Sequence, residues 1–91
     1  MHAIIDIIHI EPFKLTLKFE SGEIRNVDLQ KKLIEWGENP KSKFADLKEP
    51  KNFLKVKIDP EFQSLVWDNG IDLCPDFLFE LGIEAKDKSI A

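Results

Sequence analysis

The sequence predicts an α+β fold with a mostly antiparallel sheet, and three observations carry that prediction. Phe13, Leu15, Leu17 and Phe19 alternate with Lys14, Thr16, Lys18 and Glu20, the period-two pattern of a strand with one wet face. The stretch Trp67-Asp68-Asn69-Gly70-Ile71-Asp72-Leu73-Cys74-Pro75-Asp76 sets a turn dipeptide between two short apolar runs and then a proline suited to a helix start. Finally, strands and helices fall into two blocks of strands, each followed by a short helix, whereas a parallel βαβ sheet would alternate them one for one. The predicted order is βββ-α-βββ-α, with two short helices.

Ala3 to Ile10 is rich in isoleucine and reads as the first strand. The alternating segment from Phe13 is the second, Ser21-Gly22 turns the chain, and Glu23 to Val27 returns as the third, where the opposite parity of Ile24 and Val27 predicts a bulge or an early end. Asp28 suits a helix N-cap, and Leu29, Leu33 and Trp36 fall at i, i+4 and i+7 before Gly37 stops the helix. Residues 38–43 read as loop, and Phe44, Leu47 and Phe53 anchor a turn or single helical turn around Glu49-Pro50. Leu54, Val56 and Ile58 alternate with Lys55 and Lys57 as a fourth strand, ended by Asp59-Pro60. Ser64 to Trp67 and Ile71 to Leu73 form the fifth and sixth strands, and Asn69-Gly70 predicts a two-residue type I′ turn, because both central residues of that turn take positive φ. Pro75 to Leu81 is the last helix, with Gly82 as its stop. A single domain over 1–82 and a polar, frayed tail over 83–91 complete the reading.

With 43% hydrophobic and 33% charged residues, the composition is that of a folded domain. Asp6 interrupts the apolar run Ala3-Ile4-Ile5, so neither a signal-peptide core nor a membrane span is expected, and the cytoplasm is the expected location. The single cysteine, Cys74, has no internal disulfide partner and is expected to be a buried, inert thiol. Trp36 and Trp67 are expected in the core. The charge is unevenly spread: residues 1 to 57 carry 11 Lys or Arg against 9 Asp or Glu, residues 58 to 91 carry 2 against 8, and no basic residue lies between Ile58 and Ala85.

The residues that could carry chemistry do not assemble into a catalytic pattern. His2 and His9, at odd spacing on or near one strand, face opposite sides and do not share a metal. Ser21, Ser42, Ser64 and Ser89 lack a glycine-flanked nucleophile elbow. Asp68, Asp72, Asp76 and Glu80 recur every four residues, but a calcium loop beginning at Asp68 would have glycine at its third position instead of its sixth. No enzyme activity, cofactor or metal is therefore expected.

Two surfaces remain. The acidic hairpin and helix start, Asp68, Asn69, Asp72, Asp76 and Glu80, is the leading candidate for binding a small protein partner of basic character, and the charge split also allows a homodimer. The alternative is a nucleic-acid accessory role for a lysine-bearing sheet face made of Lys14, Lys18, Lys55 and Lys57, joined by Arg25.

Three segments, Phe19-Glu20-Ser21-Gly22, Phe44-Ala45-Asp46-Leu47-Lys48-Glu49-Pro50-Lys51-Asn52-Phe53, and Trp67 to Asp72 followed by Pro75-Asp76, occur in an order that resembles the bacterial family of domains of unknown function 2442, from Ile4 to Gly82. The resemblance implies a small α+β domain, found alone or beside a helix-turn-helix segment and often encoded next to another small protein in a toxin–antitoxin-like arrangement. It implies no established activity. The combined expectation is a non-enzymatic protein-binding module, the regulatory or antitoxin-like half of a two-protein system.

Overall fold

The computed structural model describes residues 2–85. Strands β1 (Ile4–Glu11), β2 (Lys14–Phe19) and β3 (Ile24–Asp28) form an antiparallel meander. Helix α1 (Gln30–Trp36), a 3-10 helix (Lys43–Lys48) and α2 (Pro50–Phe53) lead to β4 (Lys57–Ile58), β5 (Leu65–Val66) and β6 (Asp72–Leu73), a second antiparallel sheet. Helix α3 (Pro75–Leu81) follows, and β7 (Ile83–Glu84) closes the chain back onto β3, giving the first sheet the order β1-β2-β3-β7. The fold is α+β with antiparallel sheets, as the strand blocks predict. The tail expected from residue 83 instead begins as a paired strand, with Asn26 opposite Ile83 and Arg25 opposite Glu84; the rest of that expectation, residues 86–91, lies outside the described residues.

One core serves both sheets. Ile4, Leu15, Leu17, Phe19 and Val27 project from the inner face of the first sheet onto Leu29 and Leu33, Leu47, Phe53, Leu65, Trp67 and Leu78, all buried. The sheets are also joined by main chain, since Ile4 N–H donates to the Gln63 carbonyl at 3.2 Å. Trp67 is core as expected, with its indole N–H donated to the Phe53 carbonyl at 3.0 Å. Satisfying that polar tip is what lets a tryptophan sit so deep.

Strand β1 departs from simple alternation. Its register against β2 runs Ile4–Phe19, Asp6–Lys18, Ile7–Leu17, His9–Thr16, Ile10–Leu15, so Ile5 and Ile8 are extra residues in successive bulges. The segment Ile4-Ile5-Asp6-Ile7-Ile8-His9-Ile10 is thus a triplet repeat in which every third residue, Ile4, Ile7 and Ile10, faces inward. Ile5 and Ile8 are left 46% and 47% exposed.

The bulge expected in β3 is absent, and β3 pairs with β2 in unbroken register. The inward position between Ile24 and Val27 belongs to Arg25, opposite Leu17, which resolves the parity conflict between the two apolar residues. The predicted fourth strand is shortened to Lys57–Ile58, because Leu54 and Lys55 belong to the turn that ends α2 and Leu54 is exposed.

The hairpin at Asn69-Gly70 is also not the two-residue turn expected. Gly70 N–H donates to the Trp67 carbonyl and Trp67 N–H to the Ile71 carbonyl, closing a three-residue loop in which Gly70 has φ +95 while Asn69 has no positive φ. This is a type I turn followed by a left-handed residue, the common three-residue hairpin. The β2–β3 turn repeats it, with Gly22 N–H on the Phe19 carbonyl, Phe19 N–H on the Glu23 carbonyl and Gly22 at φ +92. Asp28 supports the start of α1 by accepting from Gln30 N–H at 2.9 Å, although it is the last residue of β3 and Leu29 occupies the N-cap.

Candidate partner-binding groove

The acidic residues singled out from the sequence divide into two groups. Those at the hairpin tip are bound internally. Asn69 accepts from Ile71 N–H and donates its amide to the Lys43 carbonyl at 3.1 Å and to the Asp46 carboxylate at 3.4 Å, tying the hairpin to the 3-10 helix. Asp68 lies 3.2 Å from the Lys57 ammonium. Asp72, on β6, is exposed and makes no ion pair among the described residues. Asp76 and Glu80, one turn apart on α3, share the outward stripe of that helix. Asp76 accepts from the main-chain N–H of His2 at 3.0 Å, and the His2 ring lies flat on Phe79, centroids 3.7 Å apart.

Beside that stripe is an apolar feature that the sequence did not single out. Trp36, Phe44 and Phe77, each half-buried, line an open groove of 510 Å³ with Ser42, Leu73 and Cys74. The Trp36 ring is 5.0 Å from Phe44 and 5.7 Å from Phe77, tilted 50° and 44°. Three elements build it. Leu33 is the buried residue of α1, which leaves Trp36 at the rim; Ser42 accepts from Phe44 N–H and sets the start of the 3-10 helix; and Leu78 points α3 inward, leaving Phe77 on its flank. Gly37 permits this close approach, because a Cβ there would lie 3.1 Å from Ala45 Cα. Cys74, expected to be buried, is exposed at the N-cap of α3.

The lysine-bearing face does not form. Arg25 points to the inner side of the sheet, where its guanidinium lies 3.7 Å from the centre of the Phe79 ring, donates to the carbonyls of Phe79 and Gly82, and pairs with Glu23 at 2.6 Å. Lys55 is in a turn, and Lys57 is in the second sheet, paired with Asp68. Only Lys14 and Lys18 share the open face, and there Lys14 stands between Glu11 and Asp28 while Lys18 is opposite Asp6. The acids came from strand parity across β1 and β3, which reading β2 alone does not show.

A cleft of 740 Å³ also lies there, lined by His9, Lys14, Thr16, Asn26 and Asp28 and by Lys31 and Lys32 of α1. Four of its groups pair with one another: Thr16 donates its hydroxyl to Asn26 Oδ1 at 2.7 Å, and His9 Nε2 is 3.0 Å from Glu11 Oε1. Thr16 is therefore turned to an amide oxygen and not to the histidine that would have to activate it.

Taken together, the two sheets, their shared core and the open groove define a small single-core α+β domain. The chain belongs to the family described as a protein of unknown function (DUF2442), whose model matches residues 4–84. No curated protein and no solved structure matches it. No helix among the described residues is long and apolar enough to cross a membrane.

Proposed function

We propose that this domain is a non-enzymatic protein-binding module that acts in the cytoplasm as the regulatory or antitoxin-like half of a small two-protein system. The observation that carries the reading is the apolar groove of Trp36, Phe44, Leu73 and Phe77 lying directly beside the acidic stripe of Asp76 and Glu80. An unroofed aromatic surface with a charged rim is the composition of an interface anchor and its margin. The partner is a small protein of basic character, and the surface centres on α3 instead of the hairpin tip, where Asp68 and Asn69 are held by Lys57 and the 3-10 helix.

The test is capture on the tagged full-length chain from nuclease-treated lysate, with wild type compared with Asp76→Asn/Glu80→Gln and with Phe77→Ala. A small basic protein retained by wild type and reduced several-fold by both variants is the expected result. Retention unchanged by either variant overturns the assignment of the surface. Retention lost on nuclease treatment transfers the reading to nucleic acid.

A further inference from the structure

We infer that the slot between Trp36, Phe44 and Phe77 receives a cationic side chain, a guanidinium or ammonium group, from the protein partner; this rests on the partner-binding reading above. The three rings are tilted against one another instead of stacked, and ring faces carry the negative side of the aromatic quadrupole. The remaining lining, Ser42, Leu73 and Cys74, carries no cation. On α3, Glu80 stands three residues beyond Phe77 on the same side of the helix, with Asp76 next to it on the outward stripe. An aliphatic anchor would draw nothing from those carboxylates, whereas a cation is favoured by rings and acids together.

The molecule already contains this chemistry on the other flank of the same helix. Arg25 lies 3.7 Å from the Phe79 ring centre and its guanidinium edge is taken up by two main-chain carbonyls and Glu23. No arginine or lysine lines the Phe77 flank or the groove itself, and the nearest in sequence are Lys41 and Lys43, which adjoin Ser42 and Phe44 on the opposite wall.

The experiment is an NMR titration of the full chain with N-propylguanidinium and, at equal ionic strength, with its neutral analogue N-propylurea, both kept far below denaturing concentrations. Saturable shifts of the Trp36, Phe44 and Phe77 ring signals are expected with propylguanidinium, and about five- to tenfold weaker binding of propylurea. Trp36→Leu is expected to abolish the preference; should the Trp67 indole signal show that this variant has unfolded, Phe44→Leu provides the same reading. Equal saturation by both compounds overturns the cation assignment and leaves the partner surface standing as an apolar slot. Shifts confined to Asp76 and Glu80, or no shift of the three rings, also overturn it.

Discussion

At the scale of single residues, backbone conformation decides more than side-chain type. Gly70 and Gly22 both take positive φ, so replacing either with alanine is expected to cost about 1–2 kcal/mol from the left-handed conformation alone. The two costs are expected to be similar, because nothing lies within 4 Å of a Cβ at Gly22 and a Cβ at Gly70 would meet only the Lys43 ammonium at 3.3 Å, the movable end of an exposed side chain. Urea denaturation of the two variants checks this. Ser64 offers the opposite case: its hydroxyl is buried, at 2% exposure, with no hydrogen-bond partner. Ser64→Ala is therefore expected to leave stability unchanged or raise it by about 1 kcal/mol, again read by urea denaturation. The asparagine and glycine of the hairpin were legible as a turn. The turn type was not, because Asn-Gly fits two loop lengths, and the contact of Asn69 with Lys43 and Asp46 across the chain decides nothing locally.

At the scale of elements, the strands with strict alternation or a turn signal were legible, and those shaped by distant partners were not. Strand β2 is where its period placed it. Arg25 has the composition of a surface residue, and only the arrival of α3, which brings the Phe79 ring and two carbonyls, makes an inward position favourable for its guanidinium. Arg25→Met keeps the apolar stem and removes these bonds. It is expected to cost about 2–3 kcal/mol and to loosen the end of α3 together with β7. Hydrogen exchange should then accelerate at Gly82 and Ala85, whose amides donate to Leu78 and Ile24, before it does so at Leu17. The aromatic groove was missed for a related reason: Trp36, Phe44 and Phe77 lie on three elements, and each looks like an ordinary core residue until Leu33 and Leu78 take the inward positions.

At the scale of the molecule, the two sheets share one apolar cluster and a main-chain hydrogen bond, so neither is expected to unfold alone. With Trp36 replaced by Phe, the remaining indole of Trp67 reports from beside the second sheet and far-UV circular dichroism from the whole, and their denaturation midpoints should coincide. Leu65→Ala, deep between the sheets, is expected to lower stability by about 2–5 kcal/mol and to shift both midpoints together. Separate midpoints would show two independent units. The charge split visible in the sequence has its structural counterpart in α3, whose outward stripe is acidic, while the lysines of the first half are spread over β2, α1, the 3-10 helix, α2 and β4.

The triplet repeat of β1 works against β2 like a vernier scale. Three residues of β1 advance the pairing by the same distance as two of β2, so sliding β1 by one triplet would again set isoleucines against Phe19 and Leu17. Side-chain pattern alone thus leaves the scale with more than one matching mark. What fixes the zero is the tight corner at Pro12-Phe13, where Phe13 holds φ at 70 and its ring is braced edge-on against Phe53. Loosening that corner would free an edge strand to read the wrong mark, and the cost would fall on Ile4, carried past Phe19 and off its bond to the Gln63 carbonyl.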